Sequence, residues 1–118
     1  RLLQMAAMLV FMSRFDGPPR PIREALSVGT PCLVSYESNM GELVERFGAG
    51  RAAPLAAAAV ARGLEEAFAS PETLDSWRAG ARRLRAELAW PNVARTYISG
   101  YESVGVTGTP ATRSPTGP

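Results

Sequence analysis

Two short apolar runs, Met8 to Met12 followed by Ser13, and Cys32-Leu33-Val34 running on to Tyr36, constrain this chain more than any other feature. Neither alternates with polar residues, which is the pattern of a strand buried on both faces. Such strands belong to parallel sheets, and parallel neighbours need a crossover between them. The intervening residues supply one. Arg14 to Pro21 reads as a loop, with Gly17 and three prolines. Ile22 to Val28 then has helical spacing, with Ile22, Ala25 and Leu26 on one face. Gly29 stands where a helix C-terminal glycine belongs, and Pro31 follows closely.

The rest of the chain extends this rhythm. Residues 1–7 read as the end of a helix, Glu37-Ser38-Asn39 as a polar turn, and Met40 to Phe47 as a short helix ended by Gly48 and Gly50. Pro54 is expected to open an alanine-rich helix to about Ala69, because proline costs nothing at an early helical position. Ser70-Pro71-Glu72 caps a second helix reaching about Leu88. Trp90-Pro91-Asn92 opens a third, with Val93, Tyr97, Ile98 and Tyr101 on an apolar face. From Val104 the chain is Gly, Thr and Pro with little to bury, so a domain over 1–103 and a disordered tail over 104–118 are expected. The fold class is α/β: a parallel sheet with C-terminal helices. Two strands do not make a stable sheet alone. The chain also opens on Arg1 within an apolar stretch. Both features lead to the expectation of a fragment truncated at its N-terminus, poorly stable alone, with an exposed sheet edge on the Met8 to Ser13 strand.

Composition removes several chemistries. All 13 basic residues are arginine, against 11 acidic ones, and histidine is absent. That excludes Ser-His-Asp and Cys-His catalysis, imidazole metal ligands, Schiff-base lysines and a P-loop lysine within this chain. Cys32, the single cysteine, excludes a disulfide framework or a cysteine metal cluster, and its apolar run implies a buried thiol. Arg78, Arg82, Arg83 and Arg85 cluster without interleaved aromatics, so a solvated helix face is expected and no nucleic-acid partner. Leu2 to Met12 is too short to span a bilayer and lacks a signal-peptide cleavage site. A cytoplasmic location is expected.

In a parallel α/β sheet, ligands bind beyond the carboxyl ends of the strands. Ser13 to Arg20 and Tyr36 to Met40 therefore fall at the ligand edge. Asp16 lies in the first of these segments, and Glu24 follows eight residues later on the helix. A helix N-terminus suits phosphate, and carboxylates suit the vicinal hydroxyls of a sugar or ribose. On spacing alone, a turn-forming Asp16 and a solvent-facing Glu24 account for the same residues.

The run SRFDGPPRPIREALSVGTPCLVSYESNMGELVERFGAG resembles the donor-binding region of retaining GT-B glycosyltransferases of the large family 4 group. Ser13, Arg14, Gly17, Glu24, Ala25, Gly29, Thr30 and Pro31 carry the likeness. Gly48 to Gly50 before a short extended piece, two helices, and the final helix with Trp90, Tyr97 and Tyr101 agree with it. The likeness covers about residues 1–103. It implies a partial Rossmann-like sheet, the C-terminal half of a GT-B domain. It also implies transfer of a sugar from a nucleotide-diphosphate donor with retention of configuration, without a metal or other cofactor.

Carried over by position, Glu24 would hold the donor ribose and Asp16 the donor sugar near the reacting centre. Gly17, Pro18, Pro19 and Arg20 would lie along the sugar and diphosphate, with Arg14 beside them. Asp16 stands where the family has Glu, one methylene shorter. Pro18 and Pro19 remove two backbone donors from the loop. Glu42 and Glu45 read as members of a charged helix face. The acceptor domain and the diphosphate-gripping cations would belong to an upstream segment, so the isolated chain is expected to be inactive. The acceptor stays open, and peripheral membrane association of the parent is among the expected partners. Two other readings remain: another GT-B enzyme, such as a sugar-nucleotide epimerase or a phosphorylase relative, and a non-catalytic interaction module.

Overall fold

The architecture, given by a computed structural model that describes residues 1–14 and 19–105, is built on β2, Cys32–Ser35, whose four residues are all buried. β1, Leu9–Phe11, pairs with it in parallel on one side, from Leu9↔Cys32 to Phe11↔Val34. β3, Gly50–Ala53, pairs in parallel on the other, from Cys32↔Gly50 to Ser35↔Ala53. The sheet order is therefore β1-β2-β3.

Side chains alternate across this sheet with a period of two. Cys32 and Val34 enter the larger core with Ile22, Leu26, Val44, Ala52 and Leu84. These come from α2 (Arg20–Ser27), α3 (Gly41–Arg46) and α5 (Pro71–Glu87) as well as β3. Leu33 and Ala53 meet Ala59 of α4 (Ala57–Phe68) in a second cluster. Helices thus cover both faces, as a parallel sheet requires. Ala67 packs with Leu74 and Trp77, joining the last turn of α4 to the first turns of α5. A short α1, Leu2–Met5, is held where the Thr30 hydroxyl donates to the Leu3 carbonyl over 2.5 Å.

The expected arginine cluster has a structural use. Arg83 Nη2 donates to the Phe47 carbonyl at 3.0 Å, just past α3, and Arg85 Nη1 donates to Ser27 O at 3.4 Å, at the end of α2. Carbonyls there have no intrahelical partner and form the negative end of the helix dipole. Arg78 instead pairs with Asp75 at 3.1 Å within α5. All these guanidinium groups remain substantially solvated.

Four expectations need correction. The Met8 to Ser13 run is not buried on both faces: its strand covers three residues, Leu9 and Phe11 are half-buried, and Val10 is 42% exposed. The cause is its edge position, because the helix on Val10's face packs on β2 and β3. The sheet has a third strand, at Gly50–Ala53, where the sequence suggests no more than an extended piece. α2 begins at Arg20 rather than Ile22, with Pro19 as its N-cap and Pro21 in its first turn, where a missing N–H leaves no bond unmade. α4 begins at Ala57, after an extended Ala56, and Pro54 stands outside it.

The N-terminal starts of α5 and α6 match their sequence signals. Ser70 Oγ accepts from Thr73 N–H at 3.4 Å, and α6 spans Trp90–Ser103. The chain divides into two units, 1–88 and 89–118. Of the second unit α6 is described, together with Val104 and Gly105, and its Tyr97, Ile98 and Tyr101 are exposed. The expected tail lies, from residue 106, outside the described residues. Among the described residues, no helix is long and apolar enough to cross a membrane.

Candidate functional site

The carboxyl ends of β1 and β2 lie side by side because the two strands are parallel and in register up to Phe11↔Val34. Beyond that rung a side chain continues the pairing. Ser35, fully buried at the end of β2, accepts the Ser13 N–H at 2.9 Å and donates its own hydroxyl to the Ser13 carbonyl at 2.6 Å. A hydroxyl offers one donor and two acceptor lone pairs, so one group can serve both backbone functions of Ser13. Exposed Arg14 follows this clamp directly.

The neighbouring segment turns sharply after Ser35. Tyr36–Ser38 forms a single 3₁₀ turn and Asn39 follows at φ 62°, a left-handed conformation that asparagine tolerates. Buried Ser38 steadies the turn by accepting Met40 N–H at 3.4 Å. Gly41 then lets α3 start against the sheet, since a Cβ there would stand 3.1 Å from Ala52 Cβ. Tyr36, Glu37 and Asn39 face solvent at this edge.

The predicted site residues fall into three groups. Arg20 and Glu24 are brought together: both lie on α2 one turn apart, with Arg20 Nε 3.5 Å from Glu24 Oε1. Both side chains are largely in water, so the pair contributes little to stability. Pro19 and Arg14 are placed but do not join them. Pro19 is buried as the α2 N-cap, its carbonyl accepting Arg23 N–H at 3.3 Å, and Arg14 is exposed just past the end of β1. Asp16, Gly17 and Pro18 lie outside the described residues. Arg20, expected in the loop, is the first helical residue. With Pro21 beside it, Arg20 and Ile22 supply the first-turn N–H groups that have no intrahelical partner.

Several other groups are committed to the fold. Cys32 is buried, its thiol directed at the Thr30 carbonyl at 3.7 Å, and burial pushes its pKa from 9.0 up to about 12. Glu45, expected on a solvated charged face, has a definite partner: its Oε1 accepts Ala52 N–H from the outer side of β3 at 3.2 Å. Arg51 Nη1 stands 3.9 Å from the same oxygen and also grips both carboxylate oxygens of Glu66, with Nε–Oε2 at 2.9 Å. These bonds close the β3 edge. A cavity of about 280 Å³ between β3 and α4 is lined by Arg51, Ala53, Arg62, Gly63 and Glu66, so two of its charged groups already pair with each other. Among the described residues, no three acidic or cysteine side chains gather as metal ligands.

The Ser13–Ser35 clamp is the element that sequence reading missed. Its one signal is a serine ending each of the two apolar runs, a weak cue because serine is common at strand ends. Compared with protein-family models, with curated proteins and with solved structures, the chain matches none.

Proposed function

We propose that the chain is part of the nucleotide-sugar-binding domain of a retaining GT-B glycosyltransferase, and that its partial Rossmann-like sheet carries the donor at the β1–β2 edge. The observation that carries this reading is the adjacency of the two segments at that edge, tied by Ser13 and Ser35, with α2 starting at Arg20 and Glu24 one turn into it. Strand ends of a parallel sheet, a helix N-terminus and an exposed carboxylate make a suitable set of groups for a nucleotide diphosphate.

In this reading Glu24 accepts hydrogen bonds from both ribose hydroxyls once it leaves Arg20, and the Arg20 guanidinium is released to the diphosphate side. Asp16 takes the donor sugar hydroxyls, and Arg14, Gly17, Pro18 and Pro19 line the sugar and diphosphate path. During transfer the bond from the anomeric carbon to the diphosphate breaks. The acceptor oxygen bonds to that carbon on the same face, and the acceptor proton passes to the departing diphosphate. Fixed dipoles and cations stabilise the leaving charge. The acceptor site and most of the cations belong to segments outside this chain.

The test is equilibrium binding of uridine, guanosine and adenosine diphosphates, with and without an attached sugar, to the chain and its Glu24→Ala variant. A millimolar or tighter complex with one base, weakened about tenfold or more by Glu24→Ala, supports the reading; a charge-assisted bond of about 1.5–3 kcal/mol sets that scale. Binding that ignores Glu24, or none with any base, refutes it and leaves an interaction module.

A further inference from the structure

We infer that the cavity between β3 and α4 binds a short-chain aliphatic monocarboxylate, with its carboxylate on Arg62 and Arg51 and its alkyl body on Ala53, Pro54 and Ala59. This site shares no residue with the proposed donor edge, so either reading can fail without the other.

Ala59, Arg62 and Glu66 recur three and four residues apart and share the face of α4 that lines the cavity. Arg62 and Glu66 are spaced for an ion pair, yet none forms. Arg51, on β3, takes both Glu66 oxygens through Nε and Nη2, and among the described residues Arg62 has no acidic partner. Two arginines and one glutamate leave the lining with one positive charge in excess. A monoanion balances it. Glu66 also fixes the Arg51 guanidinium, whose Nη1 stands 3.9 Å from Glu45, beyond hydrogen-bond length. Trp77 backs the same guanidinium, with its ring centroid 6.0 Å away. Arg51 is therefore a positioned second donor beside Arg62.

The apolar part of the lining selects a carboxylate over a phosphate. Ala53 and Ala59 are buried methyl groups, and Pro54 adds an exposed ring next to them. An alkyl chain gains by covering this wall, while a planar carboxylate matches the arginine fork. Inorganic phosphate would meet the arginines and leave the wall wet. At about 280 Å³ the cavity falls just below the range that holds drug-sized ligands, so its occupant has few heavy atoms.

The experiment is a heteronuclear NMR titration of the whole chain at constant ionic strength with acetate, propionate, butyrate and inorganic phosphate. It is read at the backbone amides of 51–66 and at the arginine Nε–H signals. Arg62→Ala removes an exposed side chain, and Arg95→Ala, on α6, is the control for adventitious binding to arginine.

Expected are saturable shifts over 51–66 with a butyrate Kd of about 1–10 mM. Each methylene from acetate to butyrate should tighten binding by up to about fourfold, and phosphate should bind about tenfold more weakly than butyrate. Arg62→Ala should weaken butyrate by about fivefold, the scale of a solvated ion pair, and Arg95→Ala should change nothing. Absence of saturable shifts over 51–66 overturns the inference, as does an Arg62→Ala chain that binds like the native one. Equal affinities along the series, or phosphate as tight as butyrate, also overturn it, because the apolar wall would then take no part.

Discussion

Replacing Gly80 with alanine puts the packing of α5 to a quantitative test. In an exposed helix interior this change stabilises by about 1 kcal/mol, because glycine is the poorer helix former. Here a Cβ would stand 2.0 Å from the Gly48 carbonyl oxygen and 2.5 Å from that of Phe47, both backbone atoms that no rotamer change can move. Reaching ordinary contact at 3.4 Å requires α5 to withdraw by about 1.4 Å. Gaps of that size forfeit much of the dispersion energy of the side chains on either side, here Trp77, Ala81 and Leu84. Overpacking of this kind costs up to about 3 kcal/mol. Less the propensity gain, the net loss is about 2 kcal/mol, or about 8–16 °C in Tm for a unit of this size. Thermal unfolding followed by far-UV circular dichroism, paired with urea titration, measures it. Gly100→Ala in α6 is the control: a Cβ there meets nothing within 4 Å, so that helix should gain stability. A Gly80→Ala chain as stable as the native one, or more so, would refute the close approach of α5 to Gly48.

Two further outcomes follow from buried and edge groups. With its pKa raised from 9.0 to about 12, the Cys32 thiol stays protonated in the fold while the unfolded chain ionises. Stability from this group is complete below pH 9 and is lost as pH rises towards 12, with a limiting slope of about 1.4 kcal/mol per pH unit. Urea unfolding at intervals from pH 8 to 11 should show that slope in the native chain and lack it in Cys32→Ala; equal slopes would contradict the burial. Glu45→Ala should cost about 1 kcal/mol by leaving Ala52 N–H without its carboxylate, and Glu45→Gln should restore most of it, since an amide oxygen accepts the same bond. The ion pair with Arg51 is too exposed to add much, so a large deficit in Glu45→Gln would show that charge, not the hydrogen bond, holds the β3 edge.

How far the molecule is legible from its residues depends on the range of the interaction involved. The run Cys32-Leu33-Val34 is apolar throughout, and β2 is buried on both faces as that pattern implies. Ser70-Pro71-Glu72 carries its own capping chemistry, and α5 starts there. In both cases the information lies within a few residues. β3 is different. Gly50-Arg51-Ala52-Ala53 has no β-branched or aromatic residue, and it becomes a strand because β2 presents a free ladder beside it. At Gly50 the backbone, at φ 148°, comes so near Cys32 that a Cβ would lie 1.8 Å from its carbonyl oxygen. The candidate site shows the same division. Glu24's place on α2 follows from local spacing, although the helix starts at Arg20, two residues before the spacing suggests. The bond from Ser35 to Ser13, by contrast, exists through the parallel pairing of two distant runs.

The sequence by itself determined the α/β order, the buried strand β2, the helix starts marked by Ser70 and Trp90, the buried thiol and the neighbouring positions of Ser13 and Tyr36 past the carboxyl ends of β1 and β2. Tertiary structure alone decided the third strand, the half-exposure of β1, and the use of Arg83 and Arg85 to cap α3 and α2. It also decided the role of Glu45 at the β3 edge and the Ser35 clamp. The physical reason is common to all of these. Propensity, capping and hydrophobic period act over a few neighbouring residues, while strand pairing, helix-end capping in trans and edge protection depend on which unpaired backbone groups folding brings within hydrogen-bond reach.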